Sequence, residues 1–122
     1  MFKSSKITLV AYASRDLKKS VERFKTQAIN SKFYDEIHVF NNKDFDKNDK
    51  SFYQNLINKY KRGHGYWVWK PYFISKVLKE INYGDVINYI DIGCHIIGEN
   101  KKRFNEYLEL ITNENRWLLP FQ

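Results

Sequence analysis

The stretch Ile7-Thr-Leu-Val-Ala-Tyr-Ala13 is apolar apart from one threonine, and several of its side chains are β-branched. A short apolar run of this kind predicts a buried β-strand. The polar residues Ser14-Arg15-Asp16 that follow it are typical of a helix start. Apolar side chains then recur every three or four positions, as on one face of a helix, at Leu17, Val21, Phe24 and Ala28. The chain therefore begins with a strand followed by a helix.

Three later segments also have strand patterns. Glu36–Asn41 alternates between polar and apolar side chains, which is typical of a strand with one buried face. Val86–Ile92 is apolar nearly throughout, as expected for a central parallel strand that is covered on both faces. Trp117–Phe121 is a short apolar run that predicts a fourth strand.

Three more helices are predicted between and after these strands. Apolar residues at helical spacing mark 52–60 and 73–81, and the second of these helices starts near Pro71, where the missing N–H is harmless. Asn100 caps the last helix, whose apolar face carries Phe104, Tyr107, Leu108 and Ile111. Because strands and helices alternate, the sequence predicts one α/β domain over residues 1–122 with a mainly parallel sheet.

The composition limits the class of protein. A chain of 122 residues is long enough for one domain, and 43% apolar residues indicate a folded core. The single cysteine, Cys94, excludes an intramolecular disulfide and a multi-cysteine metal site. No sequence window is apolar enough for a membrane span. We therefore expect a protein of the reducing cytoplasm.

The chain is basic, with a net charge of +7. Most lysines fall at helix-surface spacings, so a solvated cationic surface explains the charge. The alternative is a surface that attracts phosphates or the headgroups of anionic lipids. On that alternative, the protein contacts the inner face of the membrane as a peripheral protein.

Polar residues follow each of the first three predicted strands, at Tyr12–Arg15, Phe40–Asp44 and Asp91–His95. In open α/β sheets, ligands bind beyond the carboxyl ends of the strands. Asp91 is the strongest candidate, because a carboxylate buried after an apolar strand needs a partner or a metal. Gly93 would let a ligand approach the backbone closely. The simpler interpretation is that Asp91 caps a turn and binds backbone amides.

The segment Gly63-His-Gly-Tyr-Trp-Val-Trp-Lys-Pro71 is a second candidate site. Its glycines predict a flexible joint, and its aromatic rings offer flat apolar surfaces. Lys70 lies at a predicted helix N-terminus, where an anion such as phosphate is favoured. Alternatively, the aromatic residues belong to the core and Lys70 faces solvent. The glycine spacing matches neither a phosphate-binding loop nor a dinucleotide-binding fingerprint.

Other chemistries have less support in the sequence. The histidines His38, His64 and His95 are scattered, and no two of them lie at metal-ligand spacing on a helix, so a zinc site is not expected. Cys94 is expected to be a buried structural thiol. The Gly-x-Ser-x-Gly motif of α/β-hydrolases is absent.

Three sequence blocks together resemble a known group of proteins: Gly65-Tyr-Trp-Val-Trp-Lys-Pro-Tyr72, Gly84-Asp85 and Tyr89-Ile-Asp-Ile-Gly-Cys94. They look like bacterial glycosyltransferase-type proteins of surface-polysaccharide loci, which are similar to the nucleotide-diphospho-sugar transferase (GT-A) superfamily. The tail from Arg103 to Gln122 fits the same pattern. The resemblance implies a Rossmann-like, three-layer α/β domain that binds a nucleoside-diphosphate sugar.

The resemblance also implies which residues hold this donor. In that superfamily the end of the first strand holds the base and ribose, a place that is occupied here by Tyr12, Ala13, Ser14 and Arg15. Asp44 is a further candidate for contact with the base or ribose. The predicted nucleotide-sugar site is completed by Trp69, Lys70, Asp91 and Gly93.

A divalent cation is part of the same expectation. An Asp-x-Asp motif in the superfamily usually binds the ribose and a metal that bridges the diphosphate. Asp91 matches the first aspartate, and Gly93 stands where the second would be. The implied cofactor is therefore Mn²⁺ or Mg²⁺, with Asp91 as its ligand.

Members of that superfamily are usually longer than this chain. We therefore expect the N-terminal part of a transferase, without the part that binds a glycan or lipid-linked acceptor and without the catalytic base. No catalytic residue is assigned. The complete reaction would transfer a sugar from the nucleoside diphosphate to an acceptor hydroxyl.

Two other functions remain open at this point. The basic and aromatic residues would also suit a non-catalytic module that binds a protein partner or single-stranded nucleic acid, with nucleic acid the less favoured. A degenerate α/β fragment would instead expose an apolar patch where the missing half should pack, and such a patch would favour a homodimer.

Overall fold

The computed structural model describes residues 5–113. Three strands and five helical segments follow one another in this part of the chain. In order they are β1 (Ile7–Tyr12), α1 (Lys18–Ser31), β2 (Glu36–Phe40), α2 (Lys50–Lys59), the single turn α3 (Gly63–Tyr66), α4 (Trp69–Leu78), β3 (Val86–Tyr89) and α5 (Lys101–Asn113). Two short 3₁₀ turns, Arg15–Leu17 and Asn42–Asp44, follow β1 and β2.

The three strands form one parallel sheet in the order β2-β1-β3. In its register, Leu9 pairs with Ile37 on one side, and Thr8 pairs with Ile87 on the other. The chain therefore leaves β1 for one side of the sheet and later returns to the opposite side. The predicted mixed α/β class with a parallel sheet is confirmed.

The central strand is β1, whereas the sequence predicted Val86–Ile92 for that position. All six residues of β1 are buried, but the four residues of β3 are only half-buried. β3 is also shorter than predicted and ends at Tyr89. Ile90 still donates to the Val10 carbonyl at 3.1 Å, and the chain then turns at Asp91, whose carbonyl accepts from the Cys94 amide at 2.9 Å.

Helices pack on both faces of the sheet, because successive side chains of β1 point to opposite faces. Leu9 and Ala11 pack against α1 in a core cluster that contains Phe24, Ala28, Phe33 and Ile96. Val10 and Tyr12 pack on the other face in a cluster that contains Phe45, Ile57, Trp69, Phe73 and Val77. Both cores therefore depend on the same strand.

The helices agree with the sequence prediction with a few exceptions. Asn100 accepts a hydrogen bond from the Arg103 amide at 3.3 Å, as expected for the residue that caps α5. Leu78 belongs to the apolar pattern that predicted the helix over 73–81 but is 56% exposed. Cys94 was expected to be buried but is an exposed free thiol. The predicted fourth strand, Trp117–Phe121, lies outside the described residues.

None of the helices within residues 5–113 is long and apolar enough to cross a membrane.

Phe73 is a central aromatic residue of the core cluster on the α4 face. It is fully buried and stacks on Phe40, with ring centroids 4.6 Å apart, and on Tyr12 at 5.5 Å. We expect Phe73→Ala to lower the free energy of unfolding by about 3–5 kcal/mol, because it removes buried contacts and leaves a cavity. Phe52→Ala, at a position that is 62% exposed, should change it by less than about 0.5 kcal/mol. Urea denaturation of both variants tests this, and equal losses would contradict the assignment of the core.

Candidate functional site

A cavity of about 230 Å³ opens at the carboxyl ends of β1 and β3. The chain leaves β1 for β2 on one side and then crosses back past β1 to reach β3 on the other, so the strand order reverses at β1. A crevice at this kind of position is where open α/β sheets bind ligands. Its lining comes from the end of β1, from the α3 region and from the segment after β3: Tyr12, Ala13, Ser14, Leu17, His64, Trp67, Trp69, Asp91, Ile92 and Gly93.

Six of the nine predicted site residues line this cavity, namely Tyr12, Ala13, Ser14, Trp69, Asp91 and Gly93. Lys70 joins them through an ion pair with Asp91. Arg15 follows Ser14 as the first residue of the 3₁₀ turn. The structure thus brings together segments that are about 80 residues apart in the sequence.

Asp44 does not line this cavity. Its carboxylate accepts a hydrogen bond from the Asn41 amide at 2.8 Å, while the Asn41 side chain accepts from the Lys43 amide at 2.8 Å. The reciprocal bonds form a capping box at the turn after β2. This contact gives Asp44 a structural role that explains its position without a ligand.

Asp91 and Lys70 form an ion pair at the edge of the cavity. The Lys70 Nζ atom lies 3.1 Å from Oδ1 and 3.3 Å from Oδ2 of Asp91. The ammonium also lies 5.5 Å from the Trp69 ring centroid and 5.7 Å from that of Tyr89, within the range of cation–π attraction. The Asp91 carboxylate therefore binds an ammonium, and the turn is closed by the backbone carbonyl of Asp91, not by the carboxylate as the simpler interpretation expected.

Tyr12 and His64 form a second polar pair in the cavity lining. The Tyr12 hydroxyl and His64 Nε2 are 3.1 Å apart, and the Tyr12 ring stacks on Trp69 with centroids 4.7 Å apart. Burial, assisted by the negative charge of Asp44, raises the pKa of Tyr12 well above its usual value. Burial lowers the pKa of His64, although the charge of Asp16 opposes this shift. Both side chains are therefore neutral near pH 7.

The α3 region has left-handed backbone at four of its residues. The φ angles are 60° at Gly63, 52° at His64, 87° at Gly65 and 58° at Trp67. Such a conformation costs about 1–2 kcal/mol at a residue with a side chain. The glycines therefore serve a defined turn, where the sequence suggested a flexible joint, and backbone strain of this kind is often found at functional sites.

Contacts with the rest of the fold hold this turn in place. The Gly65 amide donates to the Tyr60 carbonyl at 2.8 Å, and the Trp69 indole donates to the Gly63 carbonyl at 3.2 Å. A Cβ atom on Gly63 would lie 2.4 Å from the Trp67 ring, so only glycine allows that ring to pack there. Trp67 itself is 44% exposed.

Two residues of α1 fix the segment that follows β3. Arg23 donates to the carbonyls of Ile92, at 2.8 Å, and Cys94. The Gln27 side-chain oxygen accepts from the Ile96 amide at 3.0 Å. These bonds hold the backbone on which Asp91 and Gly93 reach the cavity.

The donor set does not fit a divalent cation. Within residues 5–113, no group of three or more His, Cys, Asp and Glu side chains is arranged to hold a metal ion. Mg²⁺ and Ca²⁺ take six or more ligands, mainly oxygens, and Mn²⁺ prefers the same hard donors. Asp91 offers one carboxylate that already binds Lys70, and Gly93 has no side chain to offer. The expected metal site is thus not built into this part of the chain.

Four residues that line or support the cavity were not among the individual site residues predicted from the sequence. His64 was treated as one of three scattered histidines, although its place between two glycines is a signal for an unusual backbone. Trp67 belongs to the aromatic block, but nothing in the sequence shows that it is exposed while Trp69 is buried. Arg23 and Gln27 act across about 70 residues of sequence, and no local pattern marks them.

Comparison of the sequence with known protein families and with curated proteins, and of the structure with solved structures, finds no match.

The environment of His64 predicts a pH dependence of stability. Its pKa is lower in the folded chain than in the unfolded chain, where it is about 6.5. The unfolded state therefore binds more protons as the pH falls below about 6.5, and the free energy of unfolding decreases. We expect His64→Asn to lose less stability than the wild type between pH 7.5 and pH 5, since asparagine tolerates left-handed backbone and does not titrate. Urea denaturation at both pH values measures this. Equal losses in the two proteins would contradict a half-buried His64 with a lowered pKa.

Proposed function

We propose that this chain is the nucleotide-sugar-binding part of a glycosyltransferase, with a Rossmann-like, three-layer organisation. One observation carries the proposal: aromatic faces and a carboxylate line a cavity at the carboxyl ends of adjacent parallel strands, and an ammonium group pairs with that carboxylate at the cavity's edge. A nucleoside diphosphate needs each of these, because it has a flat base, anionic phosphates and ribose hydroxyls. The resemblance of the aromatic and Asp-Ile-Gly-Cys blocks to glycosyltransferase-type proteins supports the same function.

Trp67 is the proposed contact for the base. Its ring lines the cavity yet is 44% exposed, so one face is free for a flat aromatic group. Stacking of a base on an aromatic side chain contributes about 1–3 kcal/mol. Trp69, by contrast, is buried and stacked on Tyr12, so it shapes the floor of the cavity.

Asp91 and Lys70 are the proposed contacts for the ribose and the diphosphate. An ionised carboxylate is a strong acceptor for hydroxyl groups, and an ammonium attracts phosphate oxygens. The net charge of +7 also favours an anionic ligand over a neutral one. The cavity is smaller than the roughly 300–1,000 Å³ of most ligand pockets, so it would hold part of the donor while the remainder lies along the surface.

The proposed role in the reaction is to hold the donor and its leaving group. The bond between the anomeric carbon and the diphosphate oxygen breaks, and a bond from the acceptor hydroxyl oxygen to that carbon forms. The hydroxyl proton is lost to a base, and the bonding electrons leave with the diphosphate. This chain would orient the donor and stabilise the negative charge of the leaving diphosphate. The acceptor would be a glycan or a lipid-linked glycan, which the cationic surface could approach at a membrane.

A binding module for single-stranded nucleic acid is less well supported. Such a module places several exposed aromatic rings along one basic groove. Here two of the exposed rings in the described part of the chain are far apart in the fold, since Trp67 lies at the carboxyl ends of the strands and Tyr83 precedes the start of β3. This separation favours a local pocket over a continuous groove.

Two matched variants test the proposed site. Asp91 pairs with Lys70, and Asp46 pairs with Lys76 at 2.9 Å, so each aspartate binds a lysine of α4, but only Asp91 lines the cavity. We expect UDP or GDP to bind the wild type in calorimetry, and Asp91→Asn to weaken that binding about tenfold, the loss of one charged hydrogen bond. Asp46→Asn should leave the affinity unchanged.

If the folded wild-type chain bound neither UDP nor GDP, the proposed function would be wrong. Equal effects of the two substitutions would instead reject Asp91 as a ligand contact.

A further inference from the structure

We propose that Lys70, and not a divalent cation, neutralises the diphosphate of the bound nucleotide, so that binding is independent of metal. This inference rests on the proposed function and goes further, because the resemblance implies a metal bound at Asp91. It is carried by the surroundings of Lys70 and by the groups around Asp91 that a metal would need.

The Lys70 ammonium is held at the cavity by three groups. Asp91 binds it at 3.1 Å and 3.3 Å, and the rings of Trp69 and Tyr89 flank it at 5.5 Å and 5.7 Å. Its side chain is only 34% exposed, so the ammonium has fewer positions available than a lysine in open solvent. A fixed charge of this kind binds an anion with little loss of side-chain entropy.

The ion pair leaves the ammonium with capacity for a ligand. A lysine ammonium has three N–H donors; one of them hydrogen-bonds Oδ2 of Asp91 at 3.3 Å, and Oδ1 lies 3.1 Å away as an ion-pair contact. The pair with Asp91 therefore leaves the ammonium a donor for a phosphate oxygen. The pair also reduces the repulsion that an isolated Asp91 carboxylate would exert on a diphosphate.

The hydrogen bonds and charges of the segment around Asp91 disfavour a bound cation. The carbonyl of Asp91 accepts from the Cys94 amide, and the carbonyls of Ile92 and Cys94 accept from Arg23. Three carbonyl oxygens near Asp91 are therefore already hydrogen-bonded, two of them to a guanidinium. A divalent cation at this place would meet positive charge from Arg23 and from Lys70.

The nearby histidine does not supply the missing ligand either. His95 Nδ1 lies 3.0 Å from the side-chain nitrogen of Gln27, whose oxygen in turn accepts from the Ile96 amide. His95 is thus tied to α1 by the same contacts that fix the segment after β3. In the part of the chain that the structure describes, Asp91 belongs to no group of three or more His, Cys, Asp and Glu side chains that could hold a metal ion.

Calorimetry with UDP and with uridine separates the contributions of phosphate and base. We expect UDP to bind the full chain with the same affinity, within about twofold, in excess EDTA and in saturating MnCl₂. Lys70→Met should weaken UDP binding about tenfold and leave uridine binding unchanged, because only the diphosphate contacts the ammonium. Lys76→Met is the matched control, since Lys76 lies on the same helix, pairs with Asp46 and should not affect either ligand.

The outcomes distinguish this inference from the proposed function. Binding of UDP that requires Mn²⁺ would overturn metal independence and leave the proposed function standing. Unchanged UDP affinity in a folded Lys70→Met chain would also overturn the role of Lys70. Absence of UDP and uridine binding in both buffers would overturn the proposed function, and this inference with it.

Discussion

The burial of β1 on both faces is the constraint on which the rest of the structure depends. All six of its residues are buried, and their alternation divides the core into the α1 face and the α4 face. Its neighbours pair with it on both sides, so its polar backbone groups are satisfied within the sheet. Because β1 is central and the strand order reverses there, its carboxyl end is also where a crevice forms.

Tyr12 links this constraint to the candidate site. Its ring belongs to the core, stacked on Trp69 and Phe73, while its hydroxyl reaches His64 in the cavity lining. The strained turn that carries His64 and Trp67 is therefore held against the same core that stabilises the sheet. A site built in this way is positioned by packing, and the bonds from Arg23 fix its other wall.

The sequence predicted the parts of the fold that depend on local periodicity. The strands and helices follow from apolar spacing, and the shared rim of Tyr12 and Asp91 follows from the rule that parallel strands end at one edge. The central position of β1 was not predictable, because Val86–Ile92 is equally apolar and only pairing distinguishes them. Asp44 caps a turn and does not line the cavity, which the sequence could not show because a capping aspartate and a ligand-binding aspartate look alike in sequence. Arg23 was missed because its partners are distant along the chain.

The central claim is that a nucleotide binds where β1 and β3 end, and the five glycines of the chain provide a direct measurement. Their amide signals are well separated in ¹⁵N-correlated NMR spectra. Gly93 lines the cavity, and Gly63 and Gly65 lie in the turn that carries His64. Gly84, by contrast, precedes β3 and lies at the amino ends of the strands. Titration with UDP should shift the first three signals and leave that of Gly84 in place. A shift of Gly84 with Gly93 unchanged, or no shift of any glycine, would contradict the claim.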